Sequence, residues 1–451
     1  MLLEERPRPR VVREHRNAGW FAVGAVCFGA FMGQLDASIV TLTFPALQSE
    51  FSAPLAAVQW VSLSYLLSLV GLLAAVGRIA DAAGRKLTYV YGFGVFTAAS
   101  IACGLAPGLG WLIAFRVLQA VGAAMLQANS VALVVTSVPA ARRRAALGVQ
   151  AAAQALGLAL GPAVGGLLVN TAGWRWVFLV NVPVGVLGLV AGRLLLPRTR
   201  ERTPLGRFDG AGVALLATST TAVLLALSGL SGLPLPVPLL VAVAVLAAAG
   251  FVWREARASS PVVRLSVLRP RAVSLGLVGA MCGYLVLFGP LTLLPQIGGA
   301  RGSTGLVLTA LPAGFAVAAL AADRVLPAAF TTRARSVVGA AVAVAGCLAL
   351  LGASGPWTGV SLFVAGLGLG LFIPANNASI MGAVPDRMSA TGGGLVNMAR
   401  GLGTALGVAL VTLCLHWSPL TNGGSALALG VLAAAGVLAG VTGALVRGTA
   451  R

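Results

Sequence analysis

Residues 20–45 read WFAVGAVCFGAFMGQLDASIVTLTFP. At 1.5 Å per helical residue the run is long enough to cross the roughly 30 Å hydrocarbon core of a bilayer. Apart from Gln34 and Asp36, it holds only apolar, small or hydroxyl-bearing side chains. A charge at bilayer depth costs roughly 2.5–3.5 kcal/mol on insertion scales, so its default reading is functional. The chain has 11 Asp and Glu residues, and all but Asp36 fall in short polar breaks between apolar stretches.

Composition extends this reading to the whole chain. Hydrophobic residues make up 58% of the 451 positions and charged residues 9%, against about 25% charged in a soluble domain. The mean hydropathy is +0.95. An all-α integral membrane protein is expected. The 59 glycines fit close helix contacts in a membrane. The net charge of +20 does not point to nucleic acid, because the basic residues sit in loops between apolar segments. Cys27, Cys103, Cys282, Cys347 and Cys414 all lie in apolar segments with no CxxC pair, so neither disulfide nor metal site is expected. The first apolar segment runs roughly 25 residues, beyond the h-region of about 7–15 in a cleavable leader, and reads as the first membrane helix.

Segments of roughly 20 apolar residues occur at 18–45, 56–76, 87–106, 110–135, 145–170, 174–197, 210–230, 234–253, 272–297, 304–322, 335–354, 357–384, 389–416 and 425–447. These make fourteen spans. Basic residues crowd cytoplasmic loops, and they test the count. With the N-terminus inside, the inner loops hold Arg78, Arg85, Lys86, Arg142, Arg143, Arg144, Arg198, Arg200, Arg202, Arg207, Arg254, Arg257, Arg264, Arg269, Arg271, Arg324, Arg333, Arg335 and Arg387. The outer loops hold only Arg175 and Arg301 as basic residues, with Glu50. Missing one span would put every later basic loop outside, so both termini are expected in the cytoplasm. The expected layout is a tail (1–17), a six-helix bundle (18–197), a linker with two extra membrane helices (198–271), a second six-helix bundle (272–447) and a short tail (448–451). The two halves show no strong sequence repeat.

Four stretches carry more than hydropathy. Gly77-Arg78-Ile79-Ala80-Asp81-Ala82-Ala83-Gly84-Arg85-Lys86 combines turn-forming glycines with charges that can pair across inner helix ends. It resembles the signature loop of the major facilitator superfamily, departing at Ala82, where that family usually has a basic residue. Leu35-Asp36 through Phe44-Pro45 resembles the first helix of its fourteen-helix drug–proton antiporter branch, with Thr41 in place of Asn. Arg116–Ala124 resembles the fourth helix of that branch, with Ala120 for a glycine. Gly157–Gly166 resembles its antiporter signature in the fifth helix, and Gly173-Trp174-Arg175 and Asn181-Val182-Pro183 continue the likeness.

Read by spacing alone, Gly157, Gly161 and Gly165 share one helix face and allow another helix to approach closely, while Pro162 can bend the helix. The resemblance implies that this face, with Gly166, is a hinge between the bundles and a seal against proton leak. Arg116 lies about six residues inside the outer end of span four and Asp36 about nine inside that of span one, so their depths differ by a few ångströms. They are expected to pair or to share a network with Gln119. Arg400 sits near mid-depth of span thirteen. Tyr65, Gln119, Gln296, Asn376 and Arg400, with Asp36 and Arg116, are the candidates to line a substrate cavity. Gln150, Gln154 and Asn377 are further polar candidates. His416 beside Trp417 reads as an interfacial anchor.

The expected activity is proton-coupled efflux of amphipathic drugs, antibiotics or secondary metabolites from a bacterial cytoplasmic membrane, by rocking of the two bundles. Asp36 and Arg116 would couple the proton, and the gradient would drive transport without a cofactor. One buried acid against two arginines favours neutral, weakly cationic or anionic substrates over dications. A proton-linked nutrient symporter of the same superfamily and a non-transporting membrane sensor or scaffold are the alternatives. A monomer is expected. No phosphate-binding loop, metal-ligand cluster or nucleophile–base pair points to an enzyme or an ATP-driven pump.

Overall fold

The computed structural model describes residues 5, 7–199, 209–258, 265–298, 302–327, 330–385, 389–418 and 423–446. Arg200, Arg202, Arg207, Arg264, Arg301, Arg387 and the short C-terminal tail lie outside the described residues. Fourteen helices are long and apolar enough to cross a membrane. The main helical segments of these spans are α1 (Ala18–Ile39), α2 (Trp60–Ala83), α3 (Arg85–Gly104), α4 (Leu109–Ser137), α5 (Arg143–Thr171), α6 (Asn181–Leu195) and α7 (Gly210–Leu230). Then follow α8 (Val237–Glu255), α9 (Arg271–Gly298), α10 (Ala310–Val325), α11 (Thr332–Ala349), α12 (Pro356–Ala383), α13 (Ser389–Trp417) and α14 (Gly424–Leu445).

Prolines explain where the helical path departs from a straight rod. A proline clashes with the carbonyl four residues earlier. Pro45 faces the carbonyl of Thr41, and the chain passes through a 3₁₀ turn at Val40–Thr43 before Phe44–Phe51 resumes as helix. Pro183 faces that of Leu179, where the short helix Arg175–Leu179 ends. Pro312 faces that of Leu308, where Gly302–Leu308 ends and α10 begins. Spans one, six and ten are therefore broken near the arginine-poor face, where the sequence suggested continuous segments.

Each bundle has the same internal pairing. In the first, α1 packs on α5 and α6, α4 on α2 and α3, and α3 on α6. In the second, α9 packs on α13 and α14, α12 on α10 and α11, and α11 on α14. The halves are thus structural repeats offset by eight helices, although their sequences show little of it. In a membrane, many small apolar residues satisfy the same packing position, so the repeat survives in geometry after it fades in letters.

The two additional helices pack on each other, and α7 also touches α2 of the first bundle and α13 of the second. At its arginine-poor end Ser228 Oγ accepts from Gln59 Nε2 at 3.1 Å and from Trp60 Nε1 at 3.0 Å. A turn at Gly232 (φ +97°) abuts the ring of His416, so that histidine packs against the α7–α8 connection. At its other end Asp209 caps α7 through Gly212 N (2.9 Å) and pairs with Arg254 of α8 (2.5 Å).

Candidate functional site

Asp36 projects from α1 into the middle of the first bundle and is fully buried, as are Gln119 and Asn181. Arg116 is 1% exposed. Arg116 Nη1 donates to Asp36 Oδ2 at 2.6 Å and to Gln119 Oε1 at 2.6 Å. Gln119 Nε2 and Asn181 Nδ2 each donate to Asp36 Oδ1 at 3.1 Å. Gln119 Nε2 also donates to Ser100 Oγ at 2.8 Å. Every group reaching the carboxylate is a donor, an arrangement suited to its ionised form. Three helices, α1, α4 and α6, meet at this one carboxylate, and Gln119 ties in a fourth, α3, through Ser100.

Arg116 also extends the network to a fifth. Its Nε donates to Val61 O in the first turn of α2 (2.8 Å), and its guanidinium lies 4.1 Å from the ring centroid of Tyr65 on the same helix. An arginine held by a carboxylate, a carbonyl and an aromatic face is well compensated. The depth argument thus placed Asp36 and Arg116 together correctly. It missed Asn181 and Ser100. Asn181 was visible only as part of a quoted motif. Its role depends on Pro183 breaking the chain just before it, which brings it to the head of α6. Asn181→Ala removes a hydrogen bond to a charged group. The expected cost is about 1.5–3 kcal/mol, read as a lowered melting temperature of the purified protein.

The cavities lie beside this network, and they correct the expected lining. A cavity of about 270 Å³ sits between the bundles, in the half of the molecule where the arginine-rich loops lie. Gln34, Gln127, Gln154, Tyr284, Asn377 and Arg400 are among its lining residues. A narrower space of about 30 Å³ continues from Arg400 to Tyr65. A third, of about 10 Å³, lies between Tyr65 and Arg116, room for about one water. Of the expected residues, Tyr65 and Arg400 face this string of cavities and Arg116 touches its far end. Asp36 and Gln119 line none of the three, lying behind Arg116. Asn376 turns away and donates to Gly276 O of α9 at 2.8 Å, while its neighbour Asn377 faces the cavity. Gln296, like Gln150, is absent from all three walls.

The glycines of α5 also divide differently from expectation. A side chain at Gly157, Gly161 or Gly165 would strike Phe31, Ser38 or Ile39, so this face packs on α1 within its own bundle. Contact with the other bundle is made beside it. A Cβ on Gly305 would lie 2.5 Å from Pro162 O and 2.8 Å from Gly166 Cα. Leu42 and Leu158 likewise join the apolar cluster of the second bundle. The arginine-poor side is therefore closed by backbone-to-backbone contact between Pro162–Gly166 and Gly305.

At the junction of α2 and α3, Asp81 in the last turn of α2 pairs with Arg85 at 2.7 Å across a turn at Gly84, whose φ of +118° favours glycine. The pair is exposed enough to be worth little on its own. Lys86 is buried and donates to Leu196 O (2.8 Å), tying the start of α3 to the end of α6. Gly77 faces Ala128 of α4, and Arg78 is half-buried. No cluster of three or more metal-ligating side chains occurs among the described residues.

The comparisons agree with this architecture. The peptide transporter POT, in complex with sulfate, superposes with a TM-score of 0.70 at 17% identity, covering 98% of this chain and 96% of that one. The inward-open xylose transporter XylE of E. coli superposes at 0.67 and 14% identity, covering 95% and 96%. These show the fold alone. In sequence, the methylenomycin A resistance protein of Streptomyces coelicolor is 32% identical over 93% of this chain and 90% of its own. The putative multidrug resistance protein MdtD of Yersinia enterocolitica is 32% identical over 88% and 87%. The riboflavin transporter RibZ of Clostridioides difficile is 31% identical over 86% and 87%. The family model of the Major Facilitator Superfamily matches residues 26–408. With two six-helix bundles around a central cavity and a match over most of its length, this chain belongs to the Major Facilitator Superfamily and is a multi-pass membrane transporter, not an enzyme.

Proposed function

We propose that the protein exports amphipathic drugs, antibiotics or secondary metabolites across a bacterial cytoplasmic membrane in exchange for protons, acting as a monomer without a cofactor. The observation that carries this is the fully buried carboxylate of Asp36 inside the first bundle, joined through Arg116 to the helix that borders the cavity. Proton arrival at Asp36 converts an acceptor into a donor and discharges its half of the ion pair. Arg116 must then find other compensation, and besides Gln119 on its own helix and the more distant Phe178 ring, its holds are Val61 O and the Tyr65 ring, both on α2. Across the bundle boundary, α2 meets α13 where Val70 abuts Gly401. A change of charge at Asp36 is thereby converted into a force on the bundle interface.

The structure's arrangement suits the proton-free, cytoplasm-facing stage of such a cycle. Asp36 accepts only donors, the large cavity lies in the half with the arginine-rich loops, and the opposite side is closed at Gly305. Substrate enters that cavity, the bundles rock, and Asp36 takes its proton from outside before the return.

Two of the three curated relatives named above are resistance proteins, which supports drug export, whereas RibZ keeps a nutrient-transport reading alive. The test is accumulation of a panel of amphipathic antibiotics by inside-out vesicles whose lumen is acidic. Transport that needs the pH gradient and collapses with a protonophore supports the proposal. Transport that runs equally well without a gradient contradicts it.

A further inference from the structure

We infer that the cavity selects substrates bearing an anionic group, a carboxylate or an acidic enol, with Arg400 as the counter-charge and the Tyr65 hydroxyl as a second donor. This rests on the transport reading only in taking the cavity as the substrate site.

The two membrane arginines lining these cavities are compensated very differently. Arg116 is neutralised by Asp36. Arg400 has a neutral partner: its Nη2 donates to Gln127 Oε1 at 2.6 Å, and Tyr284 lines the same cavity. Among the described residues no carboxylate lies within ion-pair distance of it. Neither cavity that Arg400 lines has an acidic residue in its wall. The guanidinium offers five donors in a planar fork that fits a carboxylate, and its bond to Gln127 leaves its charge unneutralised.

Tyr65 supplies an independent sign. Its side chain is 1% exposed, lines the passage from Arg400 towards Arg116, and its hydroxyl has no hydrogen-bond partner. A buried, unpartnered hydroxyl is uncommon and calls for a group that is absent from the protein itself. Donors from both bundles thus converge on one space, Tyr65 from the first and Arg400 from the second. An anion held between them would bridge the halves that must move together.

The same charge explains a requirement for loading. While the cavity is open, water solvates Arg400. When the bundles close, that water leaves and an unpaired cation becomes costly. A bound anion removes the penalty, so the loaded carrier closes more readily than the empty one.

The experiment uses purified full-length protein in detergent and three probes sharing one ring system: 9-anthracenecarboxylate, its methyl ester and 9-anthracenemethylammonium. Equilibrium binding is read by fluorescence anisotropy. The carboxylate is expected to bind at least about tenfold tighter than the ester, as for a hydrogen-bonded charge pair. Arg400→Gln should erase that preference, Arg400→Lys should keep part of it, and Tyr65→Phe should weaken carboxylate binding several-fold. Monodisperse elution of each variant establishes that it is folded. Equal binding of acid and ester, tighter binding of the ammonium, no binding of the acid, or a preference that survives Arg400→Gln overturns the inference. A charge preference in a protein that moves no protons would leave this site standing and remove antiport. Antiport without the preference would do the reverse.

Discussion

Asp36→Asn is expected to abolish proton-coupled efflux and also to destabilise the first bundle. Loss of transport follows from removing the fully buried carboxylate at the centre of the first bundle. Loss of stability follows from the geometry. Arg116 donates to Asp36 at 2.6 Å in a site with almost no exposure. Removing one partner of such a pair costs about 3–5 kcal/mol, because the other charge stays buried, whereas replacing both by neutral groups is often tolerated. The double variant Asp36→Asn/Arg116→Met should therefore melt at a higher temperature than Asp36→Asn alone, yet transport nothing. Thermal unfolding of both variants, beside accumulation by inside-out vesicles, separates the two effects. Recovery of transport in the double variant would show that the pair is structural and that coupling lies elsewhere.

Gly305→Val is the second large effect. Its Cβ would overlap Pro162 O and Gly166 Cα, both backbone atoms that no rotamer change can move aside. Overpacking costs about 1–3 kcal/mol, and each 1.4 kcal/mol is tenfold in a population. The state closed on the arginine-poor side should thus fall about tenfold to hundredfold relative to the outward-open one. Spin labels placed on the arginine-poor ends of the two bundles report this as a shift to longer distances, with transport slowed in parallel. Unchanged distances would mean that the Pro162–Gly166 contact with Gly305 does not hold this side shut.

Much of the fold was legible in the letters, and the reasons are physical. Hydrocarbon thickness fixes span length, and arginine placement fixes the alternation of loops, so fourteen spans could be counted without structure. Proline positions account for the three broken spans, at Pro45, Pro183 and Pro312, although the sequence reading left them continuous. The Asp36–Arg116 pair was legible because two opposite charges at like depth in apolar helices have few other ways to be satisfied.

Helix facing was not legible. In a membrane helix the lipid side and the protein side are both apolar, so periodicity does not say which residue points inward. That is why Asn376 was expected in the cavity where Asn377 stands. The α5 glycines show the same limit: spacing marked a close-packing face, but only the coordinates assign it to α1 rather than to the second bundle. The special character of Arg400 was hidden for a related reason, since the sequence cannot show which of two arginines finds Asp36.

The most direct test of coupling through Asp36 is proton movement out of proteoliposomes containing a pH-sensitive dye, triggered by adding a panel of antibiotics to the outside. The account predicts substrate-dependent proton flux in the wild-type protein and none in the double variant Asp36→Asn/Arg116→Met, whose fold is retained. Equal flux from the two proteins would contradict it.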